Sequence, residues 1–329
     1  MNYEKYAIAD IHLHLDGSLS PKAVIDVARE ENIELPTFDE NELMDYLKAP
    51  DNCESLNELL KRFDLPNLVL QTKYGLRYCT LDLLKRLADD GVKYIELRMA
   101  PQLSTAQGLA QEEVVQTMIS SLKEGEQLYG IRTNLILCMM RGENNFEKNI
   151  ETVELANKYR NDKVVAVDIA GAEALFPNDL FIMEFALVKK YGLNLTIHAG
   201  EASGANSVET AIAYGANRIG HGIHAINDKK VCKMLKRLGI CLEICPKSNL
   251  DTKAIQSYEE LPIKEFMKQG IMVSINSDDM TVCNTSVKKE YETLSKLGFN
   301  EKELRQLALN TIEASFADKD TKQYLKKFI

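Results

Sequence analysis

Eight short β-branched runs alternating with longer amphipathic stretches predict an α/β fold of the (β/α)8 TIM-barrel class, with an extra helical insertion after the first strand. Two more observations agree. The chain has 329 residues, a length at which barrels form one domain, so a single domain over residues 1–329 is expected. The rarest reactive side chains also fall where the strand-like runs end, and barrel enzymes carry their chemistry at that end. Length alone would admit a doubly wound sheet or two smaller domains. The eight strand–helix units favour the closed barrel.

The runs read as strands are Tyr6–His14, Val92–Met99, Arg132–Met139, Val164–Ala170, Leu193–His198, Arg218–His221, Gly239–Cys245 and Ile271–Ser277. Helical spacing appears between them at Glu112–Tyr129, Phe146–Tyr159, Leu180–Lys190, Lys229–Leu238 and Ile263–Gln269. Such alternation implies parallel strands joined by helical crossovers. The stretch Phe38–Leu87 contains no strand pattern and reads as a helical excursion between the first two strands. No repeat, low-complexity tract or Pro/Gly/Ser linker divides the chain.

Hydrophobic residues make up 45% of the chain, enough for a large core, and 40 basic against 49 acidic residues leave a net charge of −9. A surface of that sign repels phosphate backbones and anionic lipid, so no nucleic-acid or membrane partner is expected. The seven cysteines (53, 79, 138, 232, 241, 245 and 283) are odd in number and lack a C-x-x-C pair. They form neither a disulfide framework nor a four-cysteine zinc site; Cys241 and Cys245 read as packing residues in an apolar run. The N-terminal residues carry charges and no long apolar stretch, and no window approaches the ~18 apolar residues of a membrane helix. A cytoplasmic protein is the expectation. No long exposed apolar stripe marks an obligate partner, so a monomer is expected.

Only five histidines occur. His12 and His14 end the first strand, His198 the fifth and His221 the sixth, with His224 just beyond; Asp278 and Asp279 close the eighth. Residues two apart on a strand face the same side, so His12 and His14 can converge on one ion. Isolated H-x-H is a weak signal. Joined to His198, His221 and Asp278 at matching strand ends, it reads as a catalytic zinc site with one position left for water.

The string Asp10-Ile11-His12-Leu13-His14-Leu15-Asp16-Gly17-Ser18-Leu19 resembles the opening motif of the adenosine deaminase family, within the amidohydrolase superfamily. Ala170-Gly171-Ala172-Glu173, His198-Ala199-Gly200-Glu201, Arg218-Ile219-Gly220-His221-Gly222, and Ser277-Asp278-Asp279 after Cys245-Pro246-Lys247-Ser248-Asn249 follow in the family's order, so the resemblance spans roughly residues 5–315. It implies one Zn2+ per chain held by His12, His14, His198 and Asp278. It makes His221 the partner of the activated water and Glu201 the proton donor to purine N1. Asp279 would meet N7, the Gly171 N–H would meet N3, and Asp16 would hold the ribose 5′-hydroxyl, with His14 also lining the substrate site. The implied reaction is hydrolytic deamination of adenosine and 2′-deoxyadenosine to inosine and deoxyinosine with release of ammonia, in purine salvage. The chemistry needs such a set: water adds at C6 while an acid protonates N1, and a positive group beside the metal steadies the developing oxyanion.

Each residue also has a plainer reading. Glu201 could favour a helix N-terminus, Asp279 could cap the next segment, and Asp16-Gly17 is a common turn pair. Gly200 reads best as a turn residue, and His224 as structural. Leu56, Leu59, Leu60 and Phe63 have helical spacing that suits core packing; by resemblance they could instead cover the nucleoside. A two-metal relative would be expected to carry a lysine at the end of the fourth strand, where this chain has Val167-Asp168-Ile169-Ala170-Gly171. Cysteine-ligated deaminases need H-x-E with P-C-x-x-C, and neither occurs. Adenine, AMP or a modified aminopurine nucleoside remain alternative substrates, although a carboxylate at position 16 disfavours a 5′-phosphate. A non-catalytic metal- or nucleoside-binding protein is the remaining class, disfavoured by the presence of Glu201 and His221.

Overall fold

The computed structural model describes residues 3–50 and 52–329. Eight parallel strands follow one another around a single sheet in sequence order: β1 (Ala9–His14), β2 (Tyr94–Met99), β3 (Arg132–Met140), β4 (Val164–Ala170), β5 (Asn194–Ala199), β6 (Arg218–His221), β7 (Cys241–Ile244) and β8 (Met272–Ile275). The predicted barrel is therefore what the chain forms. Its seam is narrow. Between β8 and β1 the ladder is one parallel bridge, Leu13 to Asp278. There the His14 N–H donates to the Asp278 carbonyl at 2.8 Å and the Asp278 N–H to the His12 carbonyl at 2.9 Å. The helix Glu301–Ala314 packs against both β8 and β1 and covers the seam from outside.

Some strand ends differ from the sequence reading. Glu4–Tyr6 is a short 3-10 turn, and the ladder starts at Ile8, whose carbonyl accepts from Lys93 and Tyr94 N–H. β5 ends on Ala199 rather than His198, and β8 stops at Ile275, with Asp278 reached by a loop that returns to β1. No strand lies between β1 and β2 among the described residues. Of the helices there, Lys73–Asp89 packs along Gln111–Tyr129 and so belongs to the outer ring. The insertion proper is shorter than the excursion read from sequence. No helix of the described residues is long and apolar enough to cross a membrane.

Apolar side chains fill the space between strands and helices, but the barrel interior is charged. Glu96, Arg98, Asp168, Arg218 and Glu243 are all at most 1% exposed. Arg98 donates to Asp168 at 2.8 Å, to the Ile11 carbonyl at 2.9 Å and to Glu243. Arg218 pairs with Glu96 at 2.6 Å and with Glu243, and its guanidinium lies 3.9 Å from the centre of the Phe316 ring. Removing one partner of such a network strands buried charge. Arg98→Met is expected to cost about 3–5 kcal/mol of stability. Denaturant unfolding measures it, and a midpoint within error of wild type would contradict the expectation.

Candidate active site

β1 places His12 and His14 on one face, because Leu13 between them points outward and is fully buried against the helices. His198 comes from β5 and Asp278 from the seam loop. Their ligand atoms, His12 Nε2, His14 Nε2, His198 Nε2 and an Asp278 oxygen, lie within 4.8 Å of one another. Individual separations are 3.1 Å (His12–His198), 3.3 Å (His14–His198), 3.1 Å (His12–Asp278) and 3.5 Å (His14–Asp278). Donors about 2.0–2.1 Å from a tetrahedral ion sit roughly 3.3 Å apart. Three imidazole nitrogens this close repel unless a cation or proton lies among them, so the donor set fits a metal ion.

The other ring nitrogens are anchored. His12 Nδ1 lies 2.8 Å from Glu243 and His198 Nδ1 3.0 Å from Asp168, the carboxylates that Arg98 bridges. Such a partner sets the tautomer that leaves Nε2 free to ligate. Burial lowers His14 to about 3, helped by the neighbouring imidazoles and against the Asp278 charge. Burial and Arg98 also lower His12, but Asp278 and Glu243 outweigh them and raise it to about 9. Burial by itself would raise Asp168 and Asp278; the His198 and Arg98 charges hold the first well below the usual range, and His12 and His221 the second.

His221 and Asp278 both adopt left-handed backbone, at φ 59° and 61°. Non-glycine residues there carry strain, which clusters at functional sites. His221 Nε2 lies 3.6 Å from Asp278 and 3.5 Å from Glu201, and its Nδ1 faces the Asn249 side-chain amide at 3.0 Å. Burial holds this imidazole well below its usual pKa, partly offset by Asp278.

These groups open onto a cavity of about 290 Å³ that is also lined by Asp16, Gly171, Glu201, Asp279 and the apolar Leu56, Leu59, Leu60 and Phe63. Every site residue inferred from the sequence therefore reaches one place. The four apolar residues serve both readings, since they line the cavity while Leu59 packs with Cys53, Val282 and Cys283. Three carboxyl oxygens of the lining, Asp16 Oδ1, Glu201 Oε1 and Asp279 Oδ1, are buried without a hydrogen-bond partner. Burial raises Asp16 to about 6. Glu201 and Asp279 rise further, first through burial and then through the Asp278 charge. Gly17 has to be glycine, because a Cβ there would lie 1.8 Å from Asp279 Oδ1. Gly200 (φ 72°) confirms the turn reading, and Gly171 (φ 108°) also occupies backbone that favours glycine.

Sequence reasoning missed Glu96, Arg98, Asp168 and Glu243. A signal was there: each is a charge set between apolar neighbours inside a strand, as in Tyr94-Ile95-Glu96-Leu97-Arg98-Met99. It also missed Asn249, and assigned no role to Asp10, whose carboxylate ties β1 to Ser277 through N–H and Oγ at 3.0 and 2.5 Å.

A parallel barrel with imidazoles and carboxyls gathered at the C-terminal ends of its strands defines an enzyme of the amidohydrolase type. A family model described as Adenosine deaminase matches residues 8–329, and the chain belongs to that family. It is 42% identical to an adenosine deaminase of Clostridium botulinum (strain 657 / Type Ba4) over the full length of both chains. Among solved structures it resembles an adenine deaminase from Arthrobacter aurescens (TM-score 0.89, 29% identity, 98% of this chain and 97% of that one). It also resembles an N6-mAMP deaminase from arabidopsis (TM-score 0.85, 26% identity, 99% and 98%).

Proposed function

We propose that this chain, as one catalytic unit over residues 1–329, hydrolyses adenosine and 2′-deoxyadenosine to inosine and deoxyinosine with release of ammonia, a purine-salvage step that uses one zinc ion per chain. The observation that carries this reading is the single cavity that brings a His3Asp donor set together with Asp16, Glu201 and Asp279, each of which has a buried carboxyl oxygen without a partner. His12, His14, His198 and Asp278 would hold the zinc, which when bound supplies the Lewis acidity that makes water a nucleophile near neutral pH.

The protein's own groups then complete the chemistry. An adenine ring presents lone pairs at N1, N3 and N7, and each needs a donor. Glu201 and Asp279, kept protonated by burial and neighbouring negative charge, suit N1 and N7, and the Gly171 N–H suits N3. Proton transfer from Glu201 to N1 draws electrons from C6 as water oxygen bonds to it. His221 takes a proton from that water and steadies the charge that develops on the oxygen. When the C6–N6 bond breaks, one of the two water protons leaves with ammonia and the other restores Glu201. The N1 proton stays in the product.

The sugar end favours a nucleoside. Asp16, ionised above about 6, accepts from a 5′-hydroxyl and repels a 5′-phosphate. The guanidinium lining the cavity, Arg141, is already committed to the Phe176 carbonyl, Asn178 and the His198 carbonyl at 2.5–2.7 Å. No other arginine or lysine lines that cavity among the described residues, so a phosphate would meet the Asp16 carboxylate with no lysine and no second guanidinium to offset it. Kinetics with adenosine, 2′-deoxyadenosine, AMP, N6-methyl-AMP and adenine, with metal analysis on the same preparation, test the reading. Adenosine should give the highest kcat/KM, and Asp16→Ala should lower it about 10- to 100-fold, mainly through KM. A preference for AMP or adenine, or an unchanged kcat/KM in the variant, would overturn the assignment.

A further inference from the structure

Glu201 hangs from an irregular loop, Gly200–Gly204, between β5 and the helix Ala205–Ala213. Such a loop has no ladder of its own to hold a side chain to within an ångström. Underneath it lies Glu173, 1% exposed, from the loop after β4. Glu173 Oε1 accepts from the Gly200 N–H at 2.7 Å and the Ser207 hydroxyl at 2.5 Å. Its Oε2 accepts from the Glu201 N–H at 3.1 Å and the Ala202 N–H at 2.8 Å. On the other side of the same turn, the Gly200 carbonyl accepts from the His224 backbone N–H and from His224 Nδ1, both at 3.1 Å. The turn is tight as well, since a Cβ on Gly200 would lie 2.5 Å from a Val208 methyl.

We propose that Glu173 is a positioning residue for the acid of the reaction: its carboxylate gathers three consecutive backbone N–H groups and so fixes where the Glu201 carboxyl stands relative to substrate N1. The inference rests on the deaminase reading above. Four donors and no acceptor face the Glu173 oxygens, which an acceptor-only carboxylate satisfies fully. After burial and Asp278, the same charge also pushes the Glu201 pKa upward. His224 holds the turn from its opposite face. A carboxamide at position 173 keeps the volume but turns an NH2 toward an N–H, leaving a buried donor without a partner. The loop must then shift to relieve it. Misplacing a reacting group by about 1 Å can cost roughly 10²-fold in rate.

The test compares wild type, Glu173→Gln and a control, Glu184→Gln, which alters an equally buried glutamate outside the cavity lining. In Glu173→Gln, kcat should fall about 10- to 100-fold while KM and metal content per chain hold, and Glu184→Gln should keep wild-type kcat. A crystal structure of Glu173→Gln should show the Glu201 carboxyl moved away from His221. Wild-type kcat in that variant, a loss expressed through KM, or loss of the metal overturns the proposal. If Glu173→Gln does not fold, Glu173→Asp, charged but one methylene shorter, should show the same split, and wild-type kcat there overturns it. Failure of the wild type on every aminopurine offered would overturn the substrate reading instead. The position of the Glu201 carboxyl in the variant crystal would then decide the role of Glu173 by itself.

Discussion

Replacing Glu201 by glutamine should lower kcat for adenosine about 10²- to 10⁴-fold, the usual worth of a general acid, with metal content per chain unchanged. The carboxyl is 4% exposed, and its Oε1 has no partner inside the protein. Burial, Asp278 and Glu173 all push its pKa up, so it meets substrate carrying a proton. Glutamine keeps the shape and can still donate a hydrogen bond to N1, so KM should change little. It cannot give the proton away, and the barrier rises. The sign with pH follows. The useful form is the protonated one, so wild-type kcat/KM should decline as pH rises through the raised pKa of this carboxyl, and Glu201→Gln should lose that limb. Wild-type kinetics in the variant would remove Glu201 from the mechanism.

Substituting His198 by alanine should abolish both metal retention and deamination. His198 Nε2 lies 3.1 and 3.3 Å from its two fellow imidazoles, and among the described residues no other nitrogen enters that donor set. Its loss leaves two imidazoles and one carboxylate, and removes the His198 Nδ1 contact from Asp168, which keeps its pairing with Arg98. Ligand binding that favours the folded state adds stability by mass action. Chelation should therefore lower the thermal midpoint of wild type and leave that of His198→Ala unmoved. Elemental analysis showing one zinc per chain in the variant, together with turnover, would take His198 out of the ligand set.

The two predictions differ in how visible their residues were. His12, His14, His198, His221 and Asp278 could be read as one site because imidazoles are scarce here and fall at successive strand ends. Glu201 was assigned through the family resemblance, in the motif His198-Ala199-Gly200-Glu201. Glu173 sat inside a recognised motif, yet nothing local showed that its oxygens would turn onto backbone N–H groups near residue 201. The interior salt-bridge network had a readable trace, charges set between apolar residues within β2, β4 and β7 and at the start of β6. The seam did not: Asp278 was expected at the end of a strand, and it lies on a returning loop whose bridge to Leu13 closes the barrel.

Alternation of period two along a strand determines which side chains share a face, and alternation of strand with helix determines the parallel connections; both are properties of neighbouring residues. Those regularities were enough to predict the barrel, its active end and the histidines that gather there; Asp16, Gly171, Glu201 and Asp279 needed the family resemblance as well. Partnership between groups remote along the chain is another matter, since closure of the sheet sets those distances and burial sets the protonation states. Only the folded structure could decide that Glu243 and Asp168 orient the imidazoles, that the terminal nitrogens of Arg141 are already engaged, and that three residues lining the cavity each keep a buried carboxyl oxygen without a partner.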